Sequence, residues 1–357
     1  MNPNATMKDV AKASGVSYQS VSRILSGGAN LHSPTTVRRV EMAAKKLGYI
    51  PNLFAIGLQG RKTRSVGIVI DPSKQSFTGE IFRGIYDILM ERNYLPILLF
   101  HSLDDPVDAV VRRLAARRVE GFIIHPNLKQ VQDVADSVRK YRLPVICVDE
   151  YLSNDWNTDF VGTDDALGSR KGIEHLLRLG HRRFAALFID KPNLKVRFEA
   201  VEETLTHCEE KCFLQRIDRW DFDDNSRNQK RIRKILQQQA APTAIVACGD
   251  FMLPPIYNAI HELGLRIPED ISVLGFGDTN FSRCLVPPVT TLKQDAYGVG
   301  SKAAEILIDR LNNPEESPVV KSIRFSPSLL VRGSTAQPKS RNRTKTNGDL
   351  ELQHLNS

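Results

Sequence analysis

The 357-residue sequence has no apolar run that approaches the roughly 20 residues needed to cross a bilayer. Its first residues also lack the basic and apolar stretches of a signal peptide. Both absences predict a cytoplasmic protein without a membrane partner. Cysteine is scarce as well, and an odd number of cysteines without an export signal predicts reduced, mostly buried thiols. The five cysteines are Cys147, Cys208, Cys212, Cys248 and Cys284.

The residue patterns of common catalytic and metal sites are also missing. No Ser/His/Asp arrangement, phosphate-binding loop or metal-ligand spacing stands out, and the histidines are scattered. Cys208 and Cys212 lie close together, but no second pair of cysteines or histidines accompanies them at zinc-finger spacing. The sequence therefore predicts a protein that is not an enzyme and that holds no metal and no cofactor.

Excess charge is absent from most of the chain and confined to one end. Residues 1–65 contain ten Lys or Arg and two acidic residues, a net +8 that equals the formal net charge of the whole chain. The remaining residues hold 39 basic and 39 acidic side chains. A chain of 357 residues predicts two or three domains. The charge distribution therefore predicts a small nucleic-acid-binding domain joined to a neutral one.

The basic segment carries the local signals of a helix-turn-helix. Thr6 is placed to cap a first helix, Gly15 supplies a tight turn, and Ser17 caps a second helix with its hydroxyl. We predict that the core face of the second helix is formed by Val21, Ile24 and Leu25. Its other face would then enter the major groove of DNA.

The side chains on that outer face suit the readout of base edges. Arg pairs with guanine and Gln with adenine, so Arg23 and Gln19 predict direct base contacts, with Tyr18 beside them. Ser20 or Ser22 would bind a phosphate. The alternative is an ordinary solvated helix face. The residues assigned to DNA contact on this helix are Ser17, Tyr18, Gln19, Ser20, Ser22 and Arg23.

A third helix is predicted after a short loop. Ser33 is its N-cap, Pro34 occupies the first helical position, where no N–H is needed, and Gly48 ends it. We predict that its inward side chains are Val37, Val40, Met42, Ala43, Ala44 and Leu47.

Four short motifs run from this segment into the residues that follow it. They are Lys8-Asp9-Val10-Ala11, Gly15-Val16-Ser17, Val21-Ser22-Arg23 and Leu47-Gly48-Tyr49-Ile50-Pro51-Asn52. Together they resemble the headpiece of the lactose/galactose-repressor (LacI) family of bacterial transcriptional regulators. The resemblance implies a helix-turn-helix headpiece over residues 1–51 and a hinge helix over residues 52–61.

The hinge is expected to contact operator DNA. The segment is too short to form a stable helix in isolation. The resemblance implies that it folds when it binds the operator. Asn52 belongs to this contact, and Leu58 matches a leucine that the family wedges into the minor groove. The alternative for Leu58 is packing against the next domain. Gly57 departs from the family pattern and lowers helix propensity.

From Ser65 onward, short apolar segments alternate with amphipathic ones, which predicts doubly wound parallel sheets with helices on both faces. The predicted strands are Val66–Ile70, Leu95–Phe100, Gly121–Ile124, Val145–Val148, Phe184–Ile189, Ala244–Cys248 and Ser272–Phe276. The predicted helices are Ile81–Arg92, Val107–Arg117, Val131–Tyr141, Leu167–Leu179, Val196–Thr206, Gln229–Gln238, Ile256–Leu263 and Val299–Leu311. The fold class is therefore α/β, preceded by a small all-α headpiece.

The resemblance continues through this region. Its markers include Gly121-Phe122-Ile123-Ile124, Pro268-Glu269-Asp270-Ile271-Ser272-Val273 and Thr290-Thr291-Leu292-Lys293-Gln294. They imply a two-lobed, periplasmic-binding-protein-like core over residues 62–332, which binds a small molecule between the lobes and forms a dimer. The chain would cross between lobes near residues 162, 289 and 326. Residues 333–357 are expected to form a disordered tail.

Two candidate effector contacts come from the resemblance and from side-chain chemistry. Arg197 matches an arginine with which the family holds sugar hydroxyls, and its forked guanidinium suits neighbouring oxygens. The alternative is a surface arginine at a helix start. Trp220 would stack on a sugar face, or else lie in the core.

The aspartates expected in the cleft have unusual neighbours. Gly249 precedes Asp250 where the family commonly has Asn, and Gly277 precedes Asp278 where it usually has Asp. Each lost hydrogen bond costs about 1 kcal/mol, so a small monosaccharide would bind poorly. Further candidates from strand ends and loops are Phe77, His125, Asp149 and Gln294.

The resemblance implies a sequence-specific DNA-binding regulator, most often a repressor, that is associated with the nucleoid. A dimer would match a palindromic operator, and a sugar or glycoside in the cleft would control it allosterically. Leu350, Leu352 and Leu355 are too few for a tetramerisation helix. Two alternatives stay open: a cytosolic small-molecule-binding protein, and a regulator of the same fold with a non-sugar effector.

Overall fold

A computed structural model of the chain describes residues 5–25, 31–49, 62–70, 75–100, 107–125, 137, 140–149, 158–218, 220–222, 224–314 and 319–339. The hinge, residues 52–61, with Asn52 and Leu58, lies outside these residues. Most of the predicted helix over residues 131–141 and the tail beyond residue 339 lie outside them too.

Three helices build the headpiece: α1 (Met7–Ser14), α2 (Tyr18–Leu25) and α3 (Pro34–Leu47). The local signals act as predicted. Thr6 and Asp9 form a reciprocal capping box, and Gly15 has the left-handed conformation (φ 67°) that ends α1. Ser33 caps α3, and Gly48 ends it.

The headpiece core joins all three helices around Val10, Val21, Ile24 and Val40. Met42 was predicted to point inward, and this prediction is wrong: its side chain is 65% exposed. Two residues along a helix turn the side chain by about 200°, so Met42 lies opposite the face that Val40 and Ala44 share.

Beyond the headpiece, the described strands form two sheets. The first has the order β11-β5-β4-β3-β1-β2 and is parallel, and the second has the order β12-β10-β9-β8-β6-β7 and is parallel except for β12. The strands are β1 (Ser65–Ile70), β2 (Leu95–Phe100), β3 (Gly121–Ile124), β4 (Val145–Val148), β5 (Asp159–Thr163), β6 (Arg183–Leu187), β7 (Phe213–Ile217), β8 (Ala244–Val246), β9 (Ser272–Gly277), β10 (Thr290–Lys293), β11 (Ser322–Phe325) and β12 (Ser328–Leu330).

Helices cover these sheets and complete two lobes. Lobe 1 contains the first sheet with α4 (Gln75–Glu91), α5 (Val107–Ala115) and α10 (Ala296–Asn312). Lobe 2 contains the second sheet with α6 (Asp165–Arg178), α7 (Pro192–Thr206), α8 (Asn225–Leu236) and α9 (Leu253–Glu262). The two-lobed α/β core predicted from the sequence is confirmed.

The chain crosses between the lobes at three places. Two of them, between β5 and α6 and between β11 and β12, agree with the predicted crossings near residues 162 and 326. The third was predicted near residue 289 and lies between Lys293 and Ala296, because Thr290–Lys293 still pair with β9 in lobe 2.

The predicted tail begins too early. Ser334 is completely buried: its hydroxyl donates to the Val273 carbonyl and accepts from the Thr290 amide. Ala336 continues this contact, because its amide donates to the Ser272 hydroxyl. Residues 333–339 are therefore part of lobe 2, held by backbone contacts that a polar composition does not reveal.

The described helices include none that is both long and apolar enough to span a membrane. The cysteines are free thiols, as predicted, but only Cys147 and Cys248 are fully buried. Cys284 is exposed, because it lies in the loop after β9 rather than in a strand.

Candidate functional site

The outer face of α2 exposes the side chains predicted to contact bases. Tyr18, Gln19 and Arg23 are exposed, whereas Val21 and Ile24 are buried on the opposite face. Ser17 caps the helix: its hydroxyl accepts from the Ser20 amide at 3.2 Å. The cap fixes the first turn of α2, which carries Tyr18 and Gln19, and Arg23 lies in the last turn of the same helix.

The serines predicted to contact DNA are less available than the other side chains of α2. Ser20 Oγ accepts a hydrogen bond from Ser17 Oγ at 3.0 Å, and both Ser20 and Ser22 are half-buried. The exposed surface of α2 therefore consists mainly of Tyr18, Gln19 and Arg23, which supply one aromatic ring, one amide and one guanidinium.

The predicted effector residues come together where strands end at their carboxyl side. His125 follows β3, Asp149 follows β4, Asp250 lies beyond β8, and Asp278 follows β9. Ligands of doubly wound sheets bind at this edge. The two lobes meet here, since Gln294 after β10 donates from Nε2 to the Thr163 hydroxyl at the end of β5, at 2.9 Å.

A cavity of about 320 Å³ lies between the lobes. Phe77 and Tyr297 line it from lobe 1, Asp278 and Arg283 from lobe 2, and Gln294 from the crossing. Three of the eight predicted effector residues, Phe77, Asp278 and Gln294, therefore line this cavity. The other five lie along the same edge without lining it.

In lobe 1, His125 and Asp149 form a buried pair with 3.1 Å between Nε2 and Oδ2. The carboxylate accepts the hydrogen bond, so Nε2 carries the proton. His125 Nδ1 has no hydrogen-bond partner among the described residues. Asp149 adopts a left-handed backbone (φ 66°), which Asp tolerates better than most residues.

Arg197 is 4% exposed, which rules out a surface arginine. Its Nε donates to Asp165 Oδ1 at 2.7 Å and its Nη1 to the Cys248 carbonyl at 2.8 Å, while the guanidinium lies 3.8 Å from the centre of the Phe276 ring. Two donors of the fork are thus used inside lobe 2. Burial raises the pKa of the neighbouring Cys248 thiol to about 12.

Asp250 is a buried acceptor for lobe 2 itself. Its Oδ2 accepts from the Thr279 amide at 2.9 Å and from the Thr279 hydroxyl at 3.2 Å, and its Oδ1 accepts from the Thr291 hydroxyl at 3.2 Å. These bonds tie β8, β10 and the loop after β9 together. No local sequence pattern predicts Thr279 as the partner of Asp250.

Asp278 is bound by two arginines. Its Oδ1 accepts from Arg332 and its Oδ2 from Arg283, both at 2.6 Å. Burial raises the pKa of this carboxyl, but the two guanidiniums outweigh burial and hold the pKa below its ordinary value. Gly277 before it has φ 139°, a conformation that L side chains rarely adopt, so the missing aspartate there accompanies a backbone suited to glycine.

Trp220 was predicted either to stack on a sugar or to lie in the core, and its position is intermediate between the two. It is partly buried against the lobe 2 core, and its ring meets Phe251 edge-on, with 6.3 Å between ring centres. Phe251 was not predicted, although it directly follows Asp250. Within the described part of the chain, no group of three His, Cys, Asp or Glu residues is arranged to hold a metal.

Comparisons with known proteins agree with this architecture. Residues 6–52 match the model of bacterial regulatory proteins of the lacI family, and residues 173–335 match a periplasmic binding protein-like domain. The HTH-type transcriptional repressor PurR of Haemophilus influenzae is 28% identical, over 92% of this chain and 98% of that protein. The lactose operon repressor of Escherichia coli is 29% identical, over 94% and 92%.

A solved structure of the Lac repressor dimer, bound to operator and the anti-inducer ONPF, superposes with a TM-score of 0.79 at 27% identity. It covers 93% of this chain and 99% of that one. These relatives are repressors. The headpiece, the two lobes and both matched models place the chain in the LacI family of bacterial regulatory proteins.

Proposed function

We propose that the protein is a transcriptional repressor that binds a palindromic operator through α2 and responds to a small molecule between its lobes. The observation that carries the proposal is the capped α2 with exposed Tyr18, Gln19 and Arg23 in a segment of net charge +8. Gln19 and Arg23 would read base edges, and the surrounding Lys and Arg would bind phosphates. The hinge, with Asn52 and Leu58, would contact the operator centre.

A homodimer is part of the proposal, because two headpieces match a two-fold operator. Support comes from one face of α4, on which Phe82, Tyr86 and Met90 recur every four residues. Tyr86 and Met90 are exposed, so this face offers an apolar surface to a second copy of the chain. The solved relative is itself a dimer on its operator. Sedimentation should give a dimer, and a tetramer or a monomer would contradict this part.

The effector is proposed to be a sugar or glycoside. The cavity of about 320 Å³ has a mostly polar lining that includes Asp278, Lys293 and Gln294, and it spans both lobes. A ligand there would change the angle between the lobes and so the spacing of the hinges. A coupling of a few kcal/mol would be enough to switch operator affinity.

Operator binding of the Arg23→Ala variant tests the DNA contact. Selected palindromic DNA should bind the parent protein, and loss of a bidentate base contact should weaken binding by about 1–3 kcal/mol and relax the preference at one base position. Arg92→Ala removes an exposed arginine of lobe 1 and serves as the control. No binding to any duplex, with sugar binding retained, would favour a small-molecule-binding protein.

A further inference from the structure

Three aromatic side chains form a partly exposed surface on lobe 2. Phe222 and Phe251 stack with 5.7 Å between ring centres and 25° between ring planes, and Trp220 meets Phe251 edge-on. Phe222 is 53% exposed and Phe251 is 42% exposed. The Lys191 ammonium lies 4.7 Å from the centre of the Phe222 ring. We call Trp220, Phe222 and Phe251 the aromatic wall.

The aromatic wall lies at the carboxyl ends of the strands of the lobe 2 sheet, the same edge at which the predicted effector residues lie. Trp220 and Phe222 follow β7, Lys191 follows β6, and Phe251 follows β8, and these three strands are neighbours. The cavity of about 320 Å³ borders the ends of β9 and β10, the next strands in the same sheet. The wall therefore continues the effector site beyond the cavity.

Gly249 explains why Phe251 occupies this place. A Cβ at residue 249 would lie 2.5 Å from Cε1 and 2.9 Å from Cδ1 of the Phe251 ring. Any side chain at residue 249 would push the ring away. An amide side chain at this position would therefore displace the Phe251 ring from its present place, and this chain has an aromatic surface in place of a polar group.

The carboxylates nearby offer little to sugar hydroxyls. Asp250 accepts hydrogen bonds from Thr279 and Thr291, and Asp278 is held by two arginines. A ligand at this part of the edge therefore gains more from a flat apolar face than from hydroxyls. Offset stacking on exposed rings favours an aromatic ligand group.

We infer that the effector carries a planar aromatic ring that stacks on the aromatic wall, and that the Gly249–Phe251 pair selects for it. An aryl glycoside has this chemistry, with its sugar in the cavity and its aglycone on Phe222 and Phe251. This inference rests on the proposed function, since it deepens the assignment of the same cleft.

Binding of matched probes to the full chain tests the inference. Calorimetry would compare 4-nitrophenyl and methyl glycosides of the same set of sugars. Tryptophan fluorescence of the Trp156→Phe variant, which leaves Trp220 as the one tryptophan of the sequence, is a second readout. The aryl form should bind about tenfold more tightly than the methyl form for the sugar that fits. Phe251→Leu, which keeps apolar volume without the ring, and Gly249→Asn should both reduce this ratio to below about threefold.

Phe213→Leu is the matched control. Phe213 is also exposed and also carries a lysine over its ring, at 5.2 Å, but it begins β7 and so lies at the opposite edge of the sheet. This variant should keep the full preference for the aryl form.

Equal binding of aryl and methyl forms, a preference that survives Phe251→Leu, or no binding of any aryl probe would overturn the inference. Conversion of the dimer to a monomer by Phe251→Leu would also overturn it and assign the wall to a second copy of the chain. Operator binding, measured on the same preparations, reports on the proposed function separately. Its absence would reject that function even where aryl probes bind.

Discussion

Asp278 illustrates how single residues in the cleft are constrained from several directions. It adopts a left-handed backbone (φ 57°), is nearly buried, and accepts short hydrogen bonds from Arg283 and Arg332. Asp149 has the same backbone conformation at the matching strand end of lobe 1. Such conformations concentrate at functional sites, where surrounding contacts hold them in place.

Replacement of Asp278 by Asn should lower the free energy of unfolding by about 2 kcal/mol at pH 7, because two charge-assisted bonds are lost and Arg332 is mostly buried. Asn tolerates the left-handed backbone, so the change isolates the charge. The folded-state pKa of Asp278 lies below its ordinary value of 3.8. The contribution is therefore complete above that value and is lost as the pH falls through the folded-state pKa.

Urea unfolding of parent and variant as the pH is lowered measures this difference. Asp309→Asn, which removes an exposed carboxylate paired with Lys321, is the control and should leave stability nearly unchanged. Equal stability of parent and Asp278→Asn at pH 7 would show that the two arginines contribute nothing.

At the scale of elements, the segment after β12 closes lobe 2 through His181. The ring is 1% exposed, and its Nε2 donates to the Ala336 carbonyl at 2.9 Å. A carbonyl only accepts, so in the neutral ring Nδ1 accepts from the Thr243 hydroxyl, which lies 2.9 Å away. His181 therefore joins β6, β8 and the final segment in its neutral form.

Burial lowers the pKa of His181 from 6.5 to about 4, with His175 and Arg182 acting in the same direction and the Ala336 carbonyl opposing. Because the folded-state pKa is depressed, stability is complete above pH 6.5 and declines as the pH falls towards 4. The loss should reach about 3 kcal/mol at pH 4. Denaturant titrations of the parent and of His181→Asn check this, and the variant should lose less stability over this range.

His207→Asn, which replaces an exposed histidine at the end of α7, is the control and should keep the parent's pH profile. An unchanged profile in His181→Asn would assign the pH dependence to other groups.

Some elements could be predicted from sequence and others could not. The strands β2, β3 and β4 have the predicted bounds, because a short run of apolar residues between helices is a strong local signal. The strands β5, β7, β10, β11 and β12 were missed. Three of them, β7, β11 and β12, lie at sheet edges and have exposed and polar residues. The other two, β5 and β10, lie inside the sheets, but they are short and contain polar residues, so no apolar run marks them.

At the scale of the whole molecule, the basic N-terminal segment and the neutral two-lobed core have separate roles. The net charge lies in residues 1–65, so association with DNA should depend on that segment alone, and the neutral core should add little electrostatic attraction. In the proposed function the core contributes the switch, because the three crossings would let the lobes change their angle without breaking either sheet.

Operator affinity should therefore fall steeply with salt. Six or more phosphate contacts from two headpieces predict a loss of about 10³-fold or more between 50 and 200 mM salt. Fluorescence anisotropy with labelled operator measures the slope. The control is sugar binding in the same buffers, which should vary little. A flat salt response of operator binding would reject the phosphate contacts.

The sequence by itself determined the headpiece and the class of the core. Caps and turns such as Gly15, Ser17 and Ser33 act on residues within one helical turn, so their outcome is encoded locally. Only the tertiary structure decided the state of the cleft, because its partners lie far apart in the chain. Asp278 meets Arg332 across 54 residues, and Gly249 makes room for a ring that no local pattern places there.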